Sequence, residues 1–162
     1  MKLLTFTALA TAATLVLTPL TGAMADSHKT NPEKERQKLM RSVGKAMKTT
    51  VKMLRGELAY DATAAAGAMK TMNEVATRFP TLFPEGSDME NSIMDFDKES
   101  DAKPEIWANM DDFKTKAMAL KTASGEALTA SSGDQAAFAA SFGNVGKACK
   151  GCHQKYKADK DQ

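Results

Sequence analysis

Cys149 and Cys152, followed directly by His153, spell C-x-x-C-H, and they are the only cysteines in a chain of 162 residues. Cysteine thiols add across vinyl groups to form thioethers, and an imidazole nitrogen can ligate a transition metal. This spacing is that of a c-type haem attachment site, with one thioether per cysteine and the histidine as proximal axial ligand of the iron. On a helix, residues three and four apart project to neighbouring parts of one surface, so little more than one turn can present all three groups. Other chemistries use parts of the pattern. A redox dithiol of the thioredoxin kind wants a βαβ context, and no strand pattern surrounds these cysteines. A structural zinc wants four ligands, and the only other histidine, His28, is remote in the chain. A disulfide between residues three apart in one helix closes a trivially short loop. Covalent haem is the expected chemistry.

The elements that must position this motif begin with a leader. Met1 to Ala25 has a short basic start at Lys2, an uncharged apolar run from Leu3 to Leu20, and a small-x-small pattern at Ala23-Met24-Ala25. These are the parts of a secretory signal, which predicts residues 1–25 as a cleaved peptide and residues 26–162 as a single domain. Export agrees with covalent haem attachment, which bacteria carry out beyond the cytoplasm. The formal net charge of +2 lacks the basic imbalance of nucleic-acid-binding proteins.

Apolar periodicity predicts four helices and no strands. The first starts at Asn31-Pro32, an N-cap followed by proline, and its seam is Met40, Val43, Met47, Val51, Leu54 and Leu58. The second starts at Asp61 and buries Ala65, Ala68, Met69, Met72, Val75, Ala76 and Phe79. A long acidic stretch from Pro80 to Lys103 reads as a solvated crossover. The third helix starts near Pro104, carries Ile106, Trp107, Met110, Phe113, Ala117 and Leu120, and continues to about Leu128. The fourth follows Ser132-Gly133, with Asp134 at its start and Phe138, Phe142, Val145, Cys149, Cys152 and Tyr156 on its seam. The fold class is therefore all-α, an antiparallel four-helix bundle, with haem anchored on the buried seam where bundles build cofactor sites. Gly143, Gly146 and Gly151 flank the seam, and room for the macrocycle would explain their presence in a helix.

His153 leaves a sixth position on iron to be filled. His28 lies close to the expected new terminus and reads as exposed. Methionine sulfur is the next candidate. In an up-down-up-down bundle the end of helix four lies beside the start of helices one and three and the end of helix two. That leaves Met40, Met72 and Met110, with Met47 about 10 Å further along helix one than Met40.

Several segments resemble one family. They are Arg36-Gln37 in helix one, Lys103-Pro104-Glu105-Ile106-Trp107 opening helix three, Phe142-Gly143-Asn144-Val145-Gly146, and the run from Cys149 to Tyr156 with its motif near the C-terminus. Together they resemble the class II c-type cytochromes, the cytochrome c′ family, over essentially the whole mature chain. The resemblance implies one covalently bound haem c with its iron. It implies that Met40, four residues after the helix-one arginine, is the distal ligand, as in a low-spin branch of cytochrome c-556 type; a non-ligating residue there leaves iron five-coordinate. It further implies that Arg36 reaches a haem propionate. Lys157 stands where the family often has arginine, a departure near the proximal side. Tyr156 reads as seam packing.

The resulting expectation is a periplasmic electron-transfer protein with six-coordinate His/Met iron. Lys147, Lys150, Lys155, Lys157 and Lys160 surround the motif and would steer an acidic redox partner into transient docking. The alternative is a five-coordinate protein that binds nitric oxide or carbon monoxide. No nucleophile–base or paired-carboxylate arrangement points to an enzyme. The expected partners are redox proteins, not nucleic acid; no membrane span remains after cleavage, and the chain is a monomer or a homodimer.

Overall fold

The computed structural model describes residues 31–92 and 100–158. The expected signal segment, His28 and Lys160 lie outside the described residues. Four long helices form the bundle: α1 (Pro32–Leu54), α2 (Ala62–Arg78), α5 (Met110–Ala130) and α6 (Gln135–Tyr156). Between α2 and α5 run a 3-10 turn (Phe79–Leu82) and two single turns, α3 (Met89–Ser92) and α4 (Glu105–Ala108). No described helix is long and apolar enough to cross a membrane.

Local chemistry sets the helix ends. Asn31 Oδ1 accepts the Lys34 amide at 2.9 Å, and Pro32 supplies the pre-set φ of the first helical residue. At the other end of α1, Gly56 takes φ 76°, and the amides of Gly56 and Glu57 donate back to Met53 and Lys52 at 3.1 and 2.9 Å. This paired return is a Schellman motif, and it requires the left-handed conformation that glycine adopts without a Cβ penalty. The expected seam therefore stops at Leu54; Leu58 lies beyond the cap and is 46% exposed. Asp61 caps α2 by accepting the amides of Thr63 and Ala64 at 2.8 and 3.0 Å. Asp134 caps α6 by accepting the Ala137 amide at 2.8 Å.

The third helix departs from expectation. It breaks at Asn109, whose backbone leaves the helical region (φ −135°, ψ 43°) and whose side-chain amide donates to the Glu105 carbonyl at 3.0 Å. Asparagine competes with the helix for its own backbone partners, which splits α4 from α5. The crossover is also more ordered than expected over its described residues. Met89 N donates to the Ala102 carbonyl at 2.8 Å, and Ala102 forms an isolated antiparallel bridge with Lys157 just past α6.

Packing divides into two clusters. The larger joins Val43 and Met53 of α1, Ala65, Met69, Met72 and Val75 of α2, Ala123 and Ala127 of α5, and Phe138, Phe142 and Val145 of α6. Its alanines allow close approach of α2 and α5, where Asn73 Nδ2 donates to the Lys121 carbonyl at 2.7 Å. Each fully buried large apolar side chain contributes about 1.5–3 kcal/mol. The smaller cluster is aromatic: Phe83, Phe113 and Tyr156 pack with Ala102 and Ile106. Its edge-to-face contacts run Phe79–Phe83 at 5.0 Å, Phe83–Phe113 at 4.7 Å and Phe113–Tyr156 at 5.3 Å. It bonds the crossover and the end of α6 to one end of the bundle.

Candidate haem-binding site

Helices α1 and α6 are tied at one end of the bundle, where Gln135 Nε2 donates to the Met53 carbonyl at 3.1 Å. Towards the other end a cavity of about 450 Å³ lies between them, walled also by α2, α5 and the crossover. Cys149, Cys152 and His153 line it from α6; Met40, Gly44 and Met47 line it from α1. Val75, Phe79, Phe113 and Leu120 supply apolar walls. Ligand pockets of this size, apolar with a few convergent polar groups, suit a planar hydrophobic cofactor.

The electrostatics of the motif fit the same chemistry. Burial pushes both thiols up, Cys152 to about 11 with Cys149 adding to the rise. A redox dithiol needs the opposite shift, so the thioredoxin-like alternative has no support here. The zinc alternative also lacks donors: among the described residues no group of three or more His, Cys, Asp or Glu is placed to hold a metal. Burial, and then the nearby charge of Lys157, hold the His153 imidazole below its ordinary pKa. That direction favours the neutral imidazole, the form that ligates.

The structure sorts the methionine candidates. Met72 is fully buried in the larger cluster and Met110 packs at the aromatic one; neither lines the cavity. Met40 lines it, and so does Met47, about two turns further along α1 than the level expected of the distal ligand. Gly143, Gly146 and Gly151, expected to make room for a macrocycle, do not line it. Gly44 on α1 does, and a Cβ there would meet nothing within 4 Å.

Arg36 also reaches the cavity wall, with its donors already engaged. Its Nη1 donates to the Leu82 carbonyl and Ser87 Oγ at 3.1 and 2.8 Å; its Nη2 donates to the Ser87 carbonyl and Ser100 Oγ at 2.6 and 3.0 Å. Those bonds use four of the five N–H groups a guanidinium carries. The plane also sits over the Phe83 ring at 4.4 Å from its centroid. Desolvation lowers its pKa, against the opposing fields of Glu33 and Asp88. In this arrangement Arg36 clasps the crossover to α1.

Glu33 was missed altogether. An acid in the first turn of a helix reads as a partner of the helix dipole. Yet Glu33 is 4% exposed, lines the cavity, and its Oε2 has no hydrogen-bond partner among the described residues. The available signal was its place on the same helical face as Arg36, Met40 and Met47. Of the lysines expected to steer a partner, Lys155 pairs with Asp112 at 2.9 Å and Lys157 with Asp101 at 3.7 Å, while Lys147 and Lys150 are exposed.

Comparison with known proteins agrees with this geometry. The family described as Cytochrome C′ matches residues 31–157. Cytochrome c-556 of Agrobacterium tumefaciens (strain II Chrys) is 33% identical over 126 residues, covering 78% of this chain and 96% of that protein. Among solved structures, a mutant of Rhodopseudomonas palustris cytochrome c′ superposes with a TM-score of 0.71 at 25% identity, covering 80% of this chain and 99% of that one. Oxidised R. palustris cytochrome c556 superposes with a TM-score of 0.70 at 29% identity, covering 82% and 98%. The chain thus belongs to the cytochrome c′ family, four-helix-bundle cytochromes that carry covalently attached haem c.

Proposed function

We propose that the protein is a periplasmic electron carrier whose haem iron is held between His153 and Met40. The observation that supports this most directly is that Met40 on α1 and His153 on α6 line one cavity together with both cysteines. Bound there, haem c supplies a one-electron iron couple. Cys149 and Cys152 would hold its thioethers, which would replace two half-buried thiols that resist charging. His153 offers a neutral nitrogen, and Met40 a thioether that needs no deprotonation, so neither ligand requires a proton to leave before it binds. Met40 would give the iron a neutral soft sulfur, a donor that raises the reduction potential. Val43, Val75, Phe113 and Leu120 keep water from the buried faces, while exposed Lys147 and Lys150 beside the motif give an incoming acidic partner a direction of approach. The chain acts as a carrier and catalyses no bond-making step. The cleaved leader expected at residues 1–25 would deliver it to the periplasm.

The deciding measurement is the optical spectrum of the holoprotein, ferric and ferrous, with and without carbon monoxide. The expected result is a low-spin spectrum with a methionine–iron charge-transfer band, unmoved by carbon monoxide, and loss of that band in Met40→Ala. A high-spin spectrum that shifts on adding carbon monoxide would refute Met40 ligation and establish the gas-binding reading in its place.

A further inference from the structure

We infer that a groove between α2 and α5, on the outer surface of the bundle, is a docking site for an acidic redox protein, which exchanges an electron with the haem cavity across Ala76 and Ala117. This rests on the carrier reading above. The groove has a volume of about 590 Å³ and lies where α2 ends and α5 begins. Ala76 and Ala117 are buried and line both this groove and the haem cavity. Where these two alanines stand, the cavity wall is one small residue deep. Electron transfer between proteins falls steeply with distance, so a partner seated against the thin part of the wall exchanges fastest.

The lining tells what kind of partner fits. Pro80 has no amide N–H to offer, and the hydroxyls of Thr77 and Thr81 already donate to the Asn73 and Arg78 carbonyls at 3.0 and 2.8 Å, which leaves the groove mostly apolar. Met118 stands in it 57% exposed; Leu58 is the only other large hydrophobic side chain so exposed among the described residues. Methionine is soft and adaptable, which suits a contact that must form and break. The charged residues of the lining are Lys114 and Lys121, and neither has an ion-pair partner among the described residues. Glu74 of α2 and Asp111 of α5 do not line the groove, and Asp112 is engaged by Tyr156 and Lys155. An apolar centre beside two uncompensated cations matches an apolar patch rimmed by carboxylates. A second copy of this chain in a twofold contact would set lysine against lysine, which the same charges oppose. Transient electron-transfer contacts bury less than about 1,200 Å², so one groove and its rim suffice. Lys147 and Lys150 lie on α6, which contributes nothing to this groove, so a carrier that must both take and give an electron has two basic faces. In the step a reduced partner loses one electron and ferric iron gains it; no bond forms or breaks.

The probe is reduced flavodoxin, a small acidic one-electron protein, mixed with the ferric holoprotein by stopped flow at about 0.01 M and about 1 M ionic strength. Lys114→Glu/Lys121→Glu is compared with Lys38→Glu/Lys48→Glu, which reverses two exposed lysines of α1 and changes the net charge equally. The groove pair is expected to lower the second-order rate constant about tenfold at low salt and far less at high salt, while the α1 pair stays within about threefold of wild type. Amide shifts of the holoprotein on adding oxidised flavodoxin are expected at Thr77, Lys114, Met118 and Lys121. Equal losses in the two pairs, a groove pair within about twofold of wild type at low salt, or shifts confined to α6 overturn the inference. So does a sedimentation profile showing a dimer that Met118→Glu dissociates, because a second copy would then fill the groove. Reduction by dithionite and reoxidation by ferricyanide test the carrier reading separately. A holoprotein that does not cycle sinks that reading and this one with it; a holoprotein that cycles without the groove effect refutes the groove alone.

Discussion

Replacing Arg36 separates two roles that its position alone leaves entangled. If it clasps the crossover, its worth lies in geometry: one planar group satisfies Leu82, Ser87 and Ser100 at once and lies on Phe83. A hydrogen bond from a charged donor contributes about 1.5–3 kcal/mol, and the cation–π contact about 0.5–2 kcal/mol. These do not simply add, because burying the cation costs free energy, as the lowered pKa of Arg36 records. Arg36→Met removes the bonds and the burial cost together, so the expected loss is about 2–4 kcal/mol. Arg36→Lys keeps a buried cation but cannot span three acceptor residues, so it forfeits at least two charged bonds for about 3–5 kcal/mol. The lysine variant should thus be no more stable than the methionine variant. The assay is urea unfolding of the holoprotein followed by circular dichroism, with an unchanged slope as the check that the unfolded state is comparable. If Arg36→Lys stays within about 1 kcal/mol of wild type while Arg36→Met loses several, positive charge alone matters and the clasp argument is wrong.

Two further outcomes follow from packing and charge. Phe138 is fully buried against Tyr60 and Phe142, with ring centroids at 5.8 and 5.9 Å, and Phe138→Ala should cost about 3–5 kcal/mol in the same unfolding assay; a loss under about 1 kcal/mol would mean that the larger cluster collapses around the gap. The Tyr156 hydroxyl, donating to Asp112 Oδ2 at 2.6 Å, and then Lys155 hold the Asp112 carboxyl below its usual range. A depressed folded pKa gives stability that is present above the ordinary value near about 4 and drains as pH falls through the lower one. Asp112→Asn should therefore be less stable than wild type at neutral pH, with the gap closing in acid; a gap that stays constant down to about pH 2 would refute the coupling.

The sequence made legible what local chemistry controls. The caps at Asn31, Asp61 and Asp134 are short-range signals and lie where the sequence places them, as do the seams they frame up to Leu54 and Ala76 in the first two helices. Helix geometry carries the motif residues to the level of Met40, Met72 and Met110, and of these three Met40 lines the cavity with the motif. What was hidden depends on distant partners. Arg36 finds acceptors 46 to 64 residues away in a crossover whose composition reads only as polar and acidic. In the sequence its donors look free, because no local signal names these distant acceptors. The break at Asn109 escaped notice because the apolar period runs through it unbroken, whereas side-chain competition for the Glu105 carbonyl does not. Met47 and Gly44 were missed because a cavity is a property of several helices and no single seam records it.

One consequence follows from where the sole tryptophan sits. Trp107 Nε1 donates to the Pro84 carbonyl at 3.1 Å, and its ring meets Phe83 edge-on, the same ring that lies under Arg36. The indole therefore views the crossover and almost nothing of the larger cluster. Its emission and the far-ultraviolet dichroism of the four long helices watch two different bodies in one chain. Coincident transitions would mark crossover and bundle as one cooperative unit; an earlier emission change would show the crossover coming away as a separate, weaker one. The protein thus carries an intrinsic probe of how its own stability is partitioned.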